Sequence, residues 1–207
     1  MKHVGCLVLF LLLIGAGVVV ASDWQILDTT DGIEVALKEE PHRDLPTMRG
    51  RAVLNGDIDR LLAILLDPEQ ATEWAEGASK VTIVSRNATR VIVDTYIDIA
   101  WPVWDRELVT SGKLRTIAPG KEYVLSMTAV DGFVPEKEGV VRMKHGFTQF
   151  HLRKQAPGKV WVEYLVNVDP GGSLPKWLVR WTSKSVPAQT LKNLQRQLNK
   201  SDAMATK

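Results

Sequence analysis

The chain has 207 residues, is 45% hydrophobic and 24% charged, and carries a formal net charge of +2. That length holds one domain with a real core. The near-neutral balance argues against a nucleic-acid partner, because phosphate neutralisation leaves a strong basic excess. Cys6 is the only cysteine, so a chain lacking its first residues has no disulfide, thiol nucleophile or Cys-based zinc site. No other ligand cluster points to a metal or cofactor.

A basic start at Met1-Lys2-His3 leads into the apolar run Val4–Val20 and the exit Val19-Val20-Ala21-Ser22. This predicts a signal peptide over 1–22 and a protein exported to the periplasm or beyond. The alternative is an N-terminal membrane anchor, since the run is just long enough to span a bilayer. A folded domain is expected over 23–200 and a flexible tail over 201–207.

Ile33–Lys38, after the turn Thr30-Asp31-Gly32, and Thr47–Leu54 alternate as strands. Asn55-Gly56 ends the second strand, and Asp57 caps a helix through Leu66 whose apolar face is Ile58, Leu61, Leu62, Leu65 and Leu66. Asp67-Pro68-Glu69 starts a second, short helix ending near Ala75. From Lys80 the period becomes two. Strands are expected at Val81–Ser85 and Arg90–Ile99, Arg106–Ile117 and Glu122–Val130, and Gly139–Arg153 and Lys159–Val168, as three hairpins. Asp169-Pro170-Gly171-Gly172 ends them. A helix over about Leu174–Asn199 follows, with Trp177, Trp181, Leu191, Leu194 and Leu198 as inner positions and a kink at Pro187. The order defines an α+β fold, an antiparallel sheet with one long C-terminal helix.

Several stretches resemble the steroidogenic acute regulatory protein-related lipid-transfer (START) family, in the same order. They are Trp24 with DGIEV, RGRAVLNGDIDRLLAILLD ahead of EWAEGASKVTIV, WPVWDRE at 101–107, VPEKEGVVRMKHG at 134–146 and GGSLPKWL at 171–178. The resemblance covers about residues 24–200. It implies a helix-grip fold, a curved antiparallel sheet around the C-terminal helix, enclosing a hydrophobic tunnel for a single sterol, phospholipid or fatty-acyl ligand. It also implies non-covalent lipid binding or transfer by a monomer that touches membranes transiently. Two alternatives stand beside it. One is an enzyme on the same scaffold, such as an aromatic cyclase, which needs convergent acid–base groups; the other is a ligand-sensing module.

The candidate ligand-binding residues are Asp94, Trp101, Trp104, Arg106, Leu108, Thr110, Trp177 and Trp181. Alternation puts Arg106, Leu108, Thr110, Gly112 and Leu114 on one face of their strand. Arg106 matches the arginine of the family's Arg-Asp motif, here followed by Glu107, and an ion pair with Asp105 or another acid is its structural alternative. Asp94 aligns with a carboxylate that pairs with a cavity arginine in steroid carriers, but Gly112 stands where that arginine should be. Val91, Val93, Thr95, Ile97 and Ile99 form an apolar face that turns Asp94 outward, in conflict with a ligand role. Trp101 and Trp104 would border the cavity mouth. Lys176, Arg180 and Lys184 run beside Trp177 and Trp181, as a lid helix touching anionic headgroups or as an ordinary solvated face. His145 and His151 share a strand face without metal spacing. Asn87-Ala88-Thr89 fits a glycosylation acceptor or simple turn chemistry.

Overall fold

The structure is a computed structural model that describes residues 23–42, 45–99, 101–172, 174 and 176–205, with side chains of the last helix described at 185–200. Strands β1 (Gln25–Thr30), β2 (Ile33–Lys38) and β3 (Thr47–Asn55) precede helices α1 (Ile58–Leu66) and α2 (Ala71–Trp74). Strands β4 (Lys80–Arg86), β5 (Val91–Ile97), β6 (Asp105–Ala118), β7 (Glu122–Ala129), β8 (Val140–Arg142), β9 (Gly146–Ala156) and β10 (Lys159–Val168) follow, then helix α3 (Lys176–Ala205). One curved sheet runs in the order β1-β2-β3-β10-β9-β7-β6-β5-β4. Its pairs on that path are antiparallel, and β8 adds a short parallel pairing to β6.

Several expectations change, among them the end of the last helix, which runs to Ala205 through positions expected as a flexible tail. β1 was not anticipated: Gln25–Thr30 is almost wholly exposed and shows no buried alternating face. The single strand expected over Gly139–Arg153 is two strands, because the chain leaves the sheet at Met143–His145 and re-enters at Gly146, whose φ is 143°. A Cβ on Gly146 would lie 2.5 Å from the Asn167 carbonyl, so only glycine fits that re-entry. The second short helix is a 3-10 turn over Pro68–Gln70 followed by the single turn of α2.

Asp57 caps α1 as its position predicts, accepting from the backbone N–H groups of Asp59 and Arg60 at 2.9 and 3.3 Å. The buried face of α1 is Ile58, Leu61, Leu62, Ile64 and Leu65; Leu66 is exposed and Ile64 takes its place. Helix α3 runs through Pro187 as one helix. It packs on β2, β3 and β10 and against α1 and α2. Gly50 on β3 permits that approach, since a Cβ there would stand 3.0 Å from both Pro187 Cβ and Leu191 Cδ1.

The C-terminal half of α3 seats Leu191, Leu194 and Leu198 in the core, all fully buried. Its polar side chains hold the neighbouring chain ends. Gln195 exchanges two hydrogen bonds with the Asn55 backbone, and Thr190 accepts from the Glu76 N–H. Phe150 stacks on Tyr164 with ring centres 4.4 Å apart and meets the edge of Trp74 at 5.7 Å. The outer face of the sheet is charged instead, with Trp161 beneath the guanidinium groups of Arg51 and Arg153.

Candidate ligand cavity

Between the inner face of the sheet and the helices lies a cavity of about 640 Å³, a size typical of small-molecule sites. β5 contributes Val91, Val93, Thr95 and Ile97, and Ile99 continues the row beyond the strand end. This is the same row that alternation had assigned to one apolar face. β6 contributes Arg106, Leu108, Thr110 and Gly112, again as the period of two requires. Leu125, Met127, Phe150, Tyr164 and Val166 form the far wall, with Trp74 and Val186 on the helical side.

Gly112 has a local role. A Cβ there would press on Val91 Cγ1 at 2.9 Å, so the bare backbone lets β5 and β6 lie together under the cavity floor. The position therefore lacks both the charge and the bulk of an arginine. One buried polar group at this wall, the Trp74 indole Nε1, has no hydrogen-bond partner among the described residues. Burial alone raises the Tyr164 pKa, which keeps its hydroxyl a neutral donor.

One end of the cavity is built by the β5–β6 loop and by the turn between β10 and α3. Trp101, Pro102 and Val103 border it from the first, and Pro170 and Leu174 from the second. Trp101 is 91% exposed and Trp104 63%. Trp101 is at the cavity edge; Trp104 is not among the residues that line it.

Arg106 lines this end and is only 2% exposed. No ion pair forms with Asp105. The Asp105 carboxylate lies on the other side of the strand, accepting from the Tyr96 hydroxyl at 2.9 Å and the Ile99 N–H at 2.8 Å. Those two bonds, the Ile99 N–H first, hold its pKa below the usual carboxylate range. The Arg106 guanidinium instead donates to backbone carbonyls, those of Trp104, Pro170 (3.2 Å) and Gly171 (3.4 Å). Burial lowers its pKa, partly offset by the charge of Asp105.

Asp94 is outside the cavity. Its Oδ2 accepts from Lys137 at 3.0 Å on the outer face, as the strand period demands and the resemblance did not. It belongs to a network that sequence reasoning missed. Glu107, fully buried, accepts from Lys137 at 2.8 Å and from Arg142 at 2.8 Å. Arg142 also donates to the carbonyls of Val134 and Pro135. Burial pushes the Glu107 carboxyl up, but the hydrogen bonds and charges of Lys137 and Arg142 outweigh it and hold the pKa below the usual value. Lys137 is raised in turn, chiefly by its bond to Glu107. The network pins the 131–139 loop and β8 against β6. Its only sequence signal was the clustered charge in WDRE and VPEKEG, which carries no pairing information.

The side chains of Trp177, Trp181, Lys176, Arg180 and Lys184 lie outside the described residues. His151 bonds Glu122 at 2.7 Å, and His145 lies off the strand between β8 and β9. Among the described residues no group of three His, Cys, Asp or Glu side chains converges as a metal site.

A curved sheet gripping a C-terminal helix around an apolar cavity defines a helix-grip protein. The START domain family model matches residues 19–203, and the chain belongs to that family. An uncharacterized protein of Pseudomonas aeruginosa is 26% identical over 179 residues, covering 86% of this chain and 88% of its own. The phosphatidylcholine transfer protein of Bos taurus is 23% identical, covering 83% of this chain and 82% of its own. The crystal structure of a STAR-related lipid transfer protein from Xanthomonas axonopodis superposes with a TM-score of 0.78 at 25% identity, covering 86% of this chain and 99% of that one.

Proposed function

We propose that the protein binds one lipid-type molecule in this cavity, without covalent chemistry, and carries it between membranes as a monomer. The observation that carries this reading is the cavity itself, walled by β5, β6, β7, β9 and β10 with aliphatic and aromatic side chains. Each Å² of apolar ligand surface moved from water into such a wall is worth about 25 cal/mol. Family membership and the named lipid carriers among its relatives support the same reading. The leader-like segment 1–22 supports export.

Transfer needs contact with a bilayer. Trp101 and Trp104, exposed beside the cavity end, are suited to it, because indole rings settle at the membrane–water interface. The test is transfer of a fluorescent phospholipid and a fluorescent sterol between donor and acceptor vesicles. The protein should accelerate at least one of them. Trp104 is exposed beside the cavity but outside its lining, so the variant Trp104→Ala should keep its equilibrium lipid occupancy and lose several-fold in transfer rate, about tenfold at most, a loss on the scale of about 1.4 kcal/mol. Acceleration of neither lipid, with no lipid occupancy, would contradict the proposal.

A further inference from the structure

Among the described residues, three buried arginines treat their charge differently. Arg49 pairs with Glu34 at 2.8 Å, and Arg142 pairs with Glu107 at 2.8 Å. Arg106, at 2% exposure the most enclosed of the three, has no acid within ion-pair distance among the described residues. The acids that border the same cavity, Glu76 and Asp98, reach solvent and neither touches it. A guanidinium has five N–H donors. Three hydrogen bonds to carbonyls are made, one each from Nε, Nη1 and Nη2. Among the described residues, each terminal nitrogen therefore keeps one N–H with no acceptor.

The surroundings are built to hold this charge in place. Gly171 and Gly172 sit at φ 62° and 61°, a left-handed turn that glycine permits and that presents the Pro170 and Gly171 carbonyls to the guanidinium. Side-chain bulk is absent beside it: a Cβ on Gly172 would stand 3.7 Å from Nη2. Neutral carbonyls orient a buried cation without neutralising it, the charge of Asp105 offsets its burial only in part, and a buried charge without an ion-pair partner is costly.

We infer that Arg106 is the headgroup site of the cavity, and that the ligand is an amphiphile whose acidic group, a carboxylate or a phosphate, sits on the two free terminal N–H groups while its apolar part lies along β5 and β6. This rests on the lipid-binding reading above and specifies the ligand class. Arginine is suited to it because two N–H groups meet two acid oxygens side by side.

The test uses pairs of lipids with one acyl chain and different heads, offered in equal amounts to the protein at pH 8 and counted by native mass spectrometry. Oleate competes with oleyl alcohol, and oleoyl lysophosphatidic acid with monoolein. The acidic member of at least one pair should be preferred by about tenfold, the usual scale for a charge-assisted contact, and the pair that shows it separates carboxylate from phosphate. Arg106→Gln should abolish the preference while neutral lipid still loads; Arg106→Lys should keep part of it. Should Arg106→Gln fail to fold, the wild-type Arg106 Nε–H resonance decides, shifting with the acidic lipid and not with its neutral partner. Equal loading within both pairs, a preference that survives in folded Arg106→Gln, or an unmoved resonance overturns the headgroup assignment and leaves lipid binding standing. Loading of none of the four lipids overturns both.

Discussion

Glu107 shows how single residues set the limits of this structure. It is fully enclosed and remains ionised because Lys137 and Arg142 both reach it. Removing the charge takes the nearest acid from the buried Arg142 guanidinium and leaves it only Asp131, at 3.6 Å. Glu107→Gln should therefore cost about 3–5 kcal/mol, the usual consequence of breaking a buried pair, read as a lower urea midpoint at unchanged slope. The pH dependence follows from the lowered pKa. Stability from a depressed carboxyl is fully present above its unfolded pKa of about 4.3 and is lost as pH falls through the folded value. The gap between wild type and Glu107→Gln should thus be full at neutral pH and close in acid. A gap that stays constant down to pH 2 would show that the carboxylate charge is not what matters. At this scale the sequence was partly legible. The two-residue period placed Arg106, Leu108 and Thr110 on the cavity wall and turned Asp94 away from it. The partner of Asp94 was not legible, because Lys137 lies 43 positions away and no local pattern encodes that meeting.

Among the elements, α3 and β3 are matched by what β3 lacks. Gly50 lets the helix rest directly on the strand at Pro187 and Leu191. Gly50→Ala should force the helix outward and cost about 1–3 kcal/mol, the range for overpacking a tight interface, measured by thermal or urea unfolding. An unchanged midpoint would mean that the contact gives way freely. Elements with strong periodicity were readable, namely α1, the three hairpins and the long helix. Those without it were not. β1 is exposed along nearly its whole length, so it exists through pairing with β2 and not through a buried face. β8 is only Val140–Arg142, and its parallel partner β6 is far away in sequence. Its separation from β9 depends on the Gly146 conformation and the Glu107 network, neither of which has a local hydrophobic signature.

At the scale of the molecule, the sheet, the two short helices and α3 enclose space instead of filling it. A cavity lined this way leaves its wall atoms without packing partners, which costs stability until something occupies it. A ligand that binds only the folded form should raise stability by about 2.7 kcal/mol at a hundredfold excess over its Kd. The protein should therefore melt at higher temperature in the presence of its lipid, in proportion to the logarithm of lipid concentration. Lipids that fail to load should leave the melt unchanged. The family and the fold class were legible because several motifs stood in register along the chain. The cavity volume and the unpaired Arg106 were not, since both depend on how distant strands meet.

The most direct test of the account is native mass spectrometry of the gently purified protein beside Met127→Trp, a substitution that places an indole in the cavity wall at β7. Wild type should carry one lipid per chain, and the variant, folded by circular dichroism, should carry less or none. A wild-type protein that is empty and takes up no sterol, phospholipid or fatty acid, or a variant that loads as fully as wild type, would contradict the claim that this cavity is where the protein holds its ligand.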